Sequence, residues 1–270
     1  MAKPIHFKNT LPQNFPFRQS LMKYILQNIK TLHLRKLIKT CKFFFNEYQI
    51  SSFEDLTITN FDEGDEDSDM LFDCMDIKHF IEAPNYFLLI GRLEIWDIRL
   101  SDIFHKIVGC FLKEVFLSEF DALSLVEFGI LMESKSITTL YLTNREEPSV
   151  VGIDGNPLPL EDILEAVPKA ADIKIKPCFV TSQTLPKLLL NRNQKFMSLT
   201  LNNINGEFDS KLFFEFMKKY ATPQASIKLK FCDGEFGDRF RMDIEEFLKT
   251  WETEIAKPKF RCDGVFNNVM

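Results

Sequence analysis

A short apolar pair, Leu-x-Leu or its Ile and Val variants, returns seven times between residues 56 and 229 and constrains the fold of this 270-residue chain more than any other feature. The pairs are Leu56/Ile58 in DLTITNF, Leu93/Ile95 in RLEIWDI, Val115/Leu117 in EVFLSEF and Leu140/Leu142 in TLYLTN. They continue as Ile173/Ile175 in DIKIKP, Leu199/Leu201 in SLTLNNI and Ile227/Leu229 in SIKLKFCDG, and successive pairs start 22 to 37 residues apart. Side chains two apart in an extended chain share a face, so each pair reads as a strand with one buried side. Between the pairs lie stretches of helical period: LSLVEFGILMES at 123–134, LEDILEAVPKA at 160–170 and SKLFFEFMKKYA at 210–221. A strand and a helix repeated at this spacing predict an α/β fold, a right-handed β–α solenoid with a mostly parallel, curved sheet. The central residues Thr57, Glu94, Phe116, Tyr141, Lys174, Thr200 and Lys228 then face away from the helices. Because the intervals are irregular, an ordinary α/β domain stands as the alternative.

Two stretches interrupt the pattern. FDEGDEDSD at 61–69 reads as a solvated acidic loop, and NREEPSVVGIDGNPLPL at 144–160 as a Pro- and Gly-rich loop that enters a helix at Leu160. After Pro258 the periodicity is lost, which predicts a frayed tail over 258–270.

Charge separates the first fifty residues from the rest. They hold nine Lys or Arg and one acid, Glu47, in a chain whose formal net charge is −6. Such asymmetry suggests two modules with different partners, or a basic surface that complements an acidic body. Within the basic segment Leu21, Met22, Ile25, Leu26 and Ile29 recur at helical spacing. A second helix starts at Thr31 and aligns Leu34, Leu37, Ile38, Cys41 and Phe45. Two helices this short must pair and dock on something else. The expected organisation is a helical module at 1–50, an α/β body at 51–257 and a tail at 258–270.

The six cysteines show no CxxC spacing and each lies beside apolar residues, which predicts reduced, mostly buried thiols in an intracellular protein, cytoplasmic or nuclear. No apolar run approaches the ~18 residues of a membrane span. His6, His33, His79 and His105 are isolated from one another and from any Cys at ligand spacing, so no metal site is expected. Asp65, Asp67 and Asp69 alternate like calcium ligands, but Met70 and Asp76 stand where a helix–loop–helix calcium loop needs Gly and Glu. No nucleophile elbow, Walker loop or dinucleotide fingerprint is present, and GIDGNP (152–157) lacks the helix that would complete a phosphate cradle. Neither a cofactor nor an enzymatic activity is expected. Phe43, Phe44 and Phe45 beside nearby lysines could stack on bases, although aromatics at the end of an amphipathic helix are more often an internal contact.

Residues 15–45, FPFRQSLMKYILQNIKTLHLRKLIKTCKFFF, resemble a divergent F-box. Phe15-Pro16 stand at the usual Leu-Pro. Leu21, Ile25 and Leu26 match its first helix, and Leu34, Leu37, Cys41, Lys42 and Phe44 its second. The wording FPFRQSLMKY is most like the nematode-expanded F-box-like families with degenerate leucine-rich repeats, whose consensus Asn corresponds to Asn60, Asn144 and Asn203. That resemblance implies a leucine-rich-repeat-like body and a non-enzymatic substrate-recognition adaptor. Phe15, Pro16, Leu21, Ile25, Leu26, Leu34 and Leu37 would dock the Skp-type adaptor of a cullin (SCF) ubiquitin ligase, and the repeats would bind a protein substrate. The alternatives are a repeat scaffold that never meets the ligase and, as the lesser of the two, a nucleic-acid-binding protein with a basic helical head.

Overall fold

The structure, a computed structural model, describes residues 50–59, 73–83, 86–145, 147–251 and 257–264. The F-box-like segment with its seven docking residues, Asn60 and the acidic stretch at 61–69 lie outside the described residues.

The elements run β1 (Ile50–Thr59), β2 (Asp73–Asp76), α1 (Ile77–Glu82), β3 (Tyr86–Trp96), α2 (Ser101–Phe104), β4 (Ile107–Ser118), β5 (Leu123–Ser124), α3 (Leu125–Leu131), β6 (Thr139–Thr143) and β7 (Val150–Val151). They continue α4 (Leu160–Ala166), β8 (Asp172–Lys176), β9 (Cys178–Phe179), α5 (Thr184–Asn191), β10 (Phe196–Asn205), α6 (Ser210–Tyr220), β11 (Ala221–Phe231), α7 (Gly234–Lys249) and β12 (Lys259–Gly264). The main sheet has the order β12-β11-β10-β8-β6-β4-β3-β1-β2, with β9 on the end of β10, and every pairing in it is parallel. It is open and uncurled, ending at β2 and β12. From β3 onward each long strand lies beside the next in the chain, as strand–helix units laid down one after another require. The exception is β2, which lies on the far side of β1, so the winding reverses once at the start.

The apolar pairs set the register. Leu56, Leu93, Val115, Leu140, Ile173, Leu199 and Ile227 are neighbours in one row across the sheet, and Phe260 of β12 extends it. The second members, Ile58 to Leu229, form a parallel row that Cys262 completes. None of the fourteen pair residues is more than 2% exposed. All belong to the one core that also holds Phe128, Leu164, Leu188, Met217 and Ile244 from the helices. Burying a side chain of this size contributes about 1.5–3 kcal/mol, and a one-residue slip would turn a whole strand's apolar set outward. The rows therefore fix the register.

Four of the helices start at a side-chain cap that the sequence supplies. Asp76, Asp209 and Asp233 accept from the backbone N–H of Lys78, Leu212 and Phe236, and Ser124 with Glu127 forms a capping box on α3. Toward the C-terminal end the Phe-rich composition finds its use. Phe208, Phe213, Phe231, Phe236 and Phe240 pack ring against ring between β11, α6 and α7, with centroids 5.0 to 6.4 Å apart.

Three expectations are corrected. The sheet is parallel as expected but open and uncurled, not curved, because its strands continue in one path from β2 to β12. The frayed tail gives way to β12, which pairs with β11 from Lys259 to Gly264. Its alternation is weak because an edge strand buries little, here Cys262 fully and Phe260 in part. The strands are also longer than the pairs suggest. β1, β3 and β4 run ten to twelve residues, with register shifts between Phe53 and Asp55 and between Gly91 and Arg92. These β-bulges change the parity of buried positions within a single strand, for example from Cys110 and Leu112 to Val115 and Leu117 in β4.

Candidate functional site

With the pairs turned toward the helices, the residues between them occupy the opposite face of the sheet. The central row runs Thr57, Glu94, Phe116, Tyr141, Lys174, Thr200, Lys228 and Arg261. Flanking it on one side is the row Asp55, Arg92, Glu114, Thr139, Asp172, Ser198, Ser226 and Lys259. All members of both rows are half-buried or exposed except Thr57, which is buried. The expected outward residues thus share one surface.

Side chains from four strands are joined across it. Glu94 accepts from Arg92 Nη2 at 2.6 Å and from the Trp96 indole at 2.9 Å. Arg92 also approaches Glu114 at 3.9 Å and lies over the Phe116 ring, 4.4 Å from its centroid. Phe116 meets Tyr141 edge-on at 4.9 Å. The Tyr141 hydroxyl donates to Asp172 at 2.9 Å, and Lys174 reaches over the same ring from β8. Partial burial, with help from the bond to Asp172, pushes the Tyr141 phenol up to about 12, so it remains a donor throughout the neutral range. Trp96 ends the chain of contacts and is 53% exposed. An exposed indole anchored by a carboxylate, beside an arginine stacked on an aromatic ring, is the side-chain chemistry enriched where proteins bind proteins.

The surface is electrically divided. Among the face residues of β1, β3, β4 and β6 are Asp55, Glu94 and Glu114 against Arg92, whereas β8, β11 and β12 present Lys174, Lys176, Lys228, Lys230, Lys259 and Arg261 against Asp172 and Asp263.

The remaining candidates have structural roles. Asn144 is buried, and its Oδ1 accepts from the Phe120 N–H at 2.9 Å, which caps the turn after β4 from the next unit. Asn203 takes a left-handed conformation (φ 49°) within β10 at a register irregularity, and Asp97 and Glu119 take the same conformation where β3 and β4 end. A depression past those ends is lined by Asp97, Asp102, Glu119 and Asp121. Two of its acids are engaged in the turns: Asp121 accepts from the Leu100 N–H at 2.7 Å, and Glu119 pairs with Arg145 at 2.6 Å, which holds its carboxyl below the usual range. Glu161, only 3% exposed, accepts from Thr181 and Thr184 and so ties α4 to the start of α5. His79 and His105 are exposed on α1 and after α2, and no group of three or more potential ligands converges to hold a metal among the described residues. His6 and His33 lie outside the described residues.

Cys110, Cys178 and Cys262 are buried free thiols, and Cys232 is exposed. Burial pushes Cys110 and Cys262 up to about 12 and Cys178 higher still. In the unfolded chain a thiol ionises near 8.5. Their raised folded values therefore contribute stability that is complete below about pH 8.5 and is lost as the pH climbs toward the folded values. Each such thiol should lower stability by about 1.4 kcal/mol per pH unit in that window. The unfolding midpoint in urea is expected to fall between about pH 9 and 11, and Cys110→Val to make that fall shallower by one thiol's share. An unchanged slope in the variant would show that Cys110 does not stay protonated in the fold.

Reading the pairs found the central row. It missed Arg92, Trp96, Asp172, Lys176 and Lys230, whose signal was already available two residues before or after each central residue. No protein-family model matches the chain, and no curated protein or solved structure matches it either. Among the described residues, no helix is long and apolar enough to cross a membrane.

Proposed function

We propose that the chain is a non-enzymatic substrate-recognition adaptor of a cullin-type ubiquitin ligase, acting inside the cell in the cytoplasm or nucleus. Its F-box-like segment docks the Skp-type adaptor, and a degenerate leucine-rich-repeat-like body holds a protein substrate on the open face of its sheet. The observation that supports this reading is the single register shared by the seven pairs, which sets Trp96, Glu94, Arg92, Phe116 and Tyr141 side by side on the face away from the helices. Aromatic and arginine anchors supported by neighbouring side chains are what a protein partner needs. The docking half of the proposal rests on the sequence resemblance of residues 15–45.

The test is affinity purification of the full chain from native extract, probed for a Skp-type adaptor and a cullin. Pro16→Ala combined with Ile25→Ala removes two apolar anchors, which typically costs several kcal/mol, enough to abolish a micromolar complex. The double variant is expected to lose the adaptor while the unfolding midpoint of the body stays within error of wild type. If wild type brings down no adaptor, the protein is a repeat scaffold without the ligase. If the double variant unfolds the whole chain, the N-terminal segment is part of the core.

A further inference from the structure

The basic half of the open face carries an unusual repetition. Three strands each offer two cations at alternate positions: Lys174 and Lys176 on β8, Lys228 and Lys230 on β11, and Lys259 and Arg261 on β12. The register sets Lys174 level with Thr200, Lys228 and Arg261, so the cations form a grid. Its spacings are about 6.7 Å along a strand and about 4.8 Å between β11 and β12, while β8 stands about 9.6 Å from β11 because β10, with Thr200, lies between them. Among the described residues only Arg261 of the six has a carboxylate partner, Asp263 at 2.9 Å. The five lysines take part in none of the ion pairs among the described residues. Six cations beside two acids, one held by Tyr141 and one by Arg261, form a positive field on a chain whose net charge is −6.

We infer that this half of the face binds an acidic segment of a protein partner, one in which Asp or Glu alternates with other residues. This rests on the reading of the open face as a partner-binding surface and gives that partner a chemistry. In an extended peptide, side chains two apart project to one side at about 6.7 Å, the same repeat as the paired cations on each strand. Two alternating acids therefore meet both cations of one strand, with neutral residues pointing to solvent. Nucleic acid suits the surface less well. Of the aromatic side chains on which bases would stack, Trp96 and Phe116 sit in the other half, beside Glu94, Glu114 and Asp55, where phosphates are repelled, and Tyr141 at the boundary already has Phe116 at its edge and Lys174 over its ring. A short acidic segment is confined to the lysines, and the rest of the partner meets the aromatic half.

The probe is a fluorescein-labelled peptide of alternating Glu and Ser, titrated by anisotropy with the full chain at low and raised salt. Wild type is expected to bind it, and binding is expected to weaken as salt rises. Lys228→Glu with Lys230→Glu should weaken it at least about tenfold, Lys228→Gln with Lys230→Gln less, and Trp96→Ala hardly at all, with thermal midpoints unchanged. No binding by wild type, or equal binding by the charge-reversed variant, overturns the inference. So does tighter binding of oligothymidylate than of the peptide, or a wild-type dimer that the reversed variant dissolves. Adaptor capture is a separate readout. Peptide binding without adaptor capture leaves this inference standing and removes the ligase, whereas adaptor capture without peptide binding overturns this inference alone.

Discussion

Gly91→Ala is expected to destabilise the body by about 3–5 kcal/mol, far more than adding one methyl group elsewhere on the sheet. Gly91 sits in β3 at φ +77°, and a Cβ there would lie 2.3 Å from the carbonyl oxygen of Glu54 and 3.3 Å from its carbonyl carbon. The atoms it would meet are backbone, in the strand that pairs with β3, so no side chain can swing aside. The cause is the bulge. Phe53 pairs with Leu89 but Asp55 pairs with Arg92, so Ile90 and Gly91 together face Glu54. Beyond that point Leu93 and Ile95 face the core and Arg92, Glu94 and Trp96 the open face. Sliding β3 by one residue to relieve the clash would exchange those two sets, so relief by slippage is closed off. Gly155 provides the control, because its φ is +76° but, apart from its chain neighbours, no described residue would come within 4 Å of a Cβ there. Gly155→Ala therefore carries the conformational cost alone, about 1–2 kcal/mol. Urea unfolding of the two variants separates backbone preference from contact. Equal losses would show that the close approach of β3 to Glu54 is not real.

The same bulges explain how much of the fold could be read from the sequence. The pairs were legible because each lies in a segment of strict period two, and in β1, β3 and β4 that segment follows the irregularity. The preceding apolar runs, YFLLIG before Leu93 and IVGCFL before Val115, belong to the same strands. Their buried positions are out of step with the pairs in β4, and an alternation scan breaks at Lys113. β12 was hidden for another reason: KFRCDG offers Phe260 and Cys262 among charges, and only pairing with β11 makes it a strand. Asp73–Asp76 is short and takes its place on the outside of β1, a choice that tertiary packing makes. On the open face, the outward direction of Glu94, Phe116, Tyr141 and Lys174 followed from the period, whereas their neighbours depend on register. The bond from Tyr141 to Asp172 joins residues on adjacent strands, with Asp172 set beside Thr139 and not beside Tyr141 itself. Local pattern cannot supply that diagonal.

Leu140→Ala is the second large effect expected, a loss of about 2–5 kcal/mol. Leu140 is fully buried in β6, the strand between β4 and β8, and its row neighbours are Val115 on one side and Ile173 on the other. Helix residues of the same core lie beneath it, so the truncated side chain leaves a cavity bounded by a paired strand on each side. Those strands are held by ladders and cannot close in, which places the cost toward the upper part of the range set by how well a site collapses. Leu190, on α5 and 81% exposed, offers the same chemical change without burial, and Leu190→Ala should stay within about 0.5 kcal/mol of wild type. The distinction also reaches function. Tyr141, the next residue, holds Phe116, Asp172 and Lys174 together on the opposite face, and its position is set by the strand that Leu140 anchors. Leu140→Ala is thus expected to weaken partner binding at the open face in proportion to lost fold, with full recovery where the body remains folded. Pro16→Ala with Ile25→Ala is expected to do the reverse, removing adaptor capture at constant stability. A loss under about half a kilocalorie per mole for Leu140→Ala in urea unfolding would mean that β6 is not an internal strand, and the parallel order from β3 to β12 would fall with it.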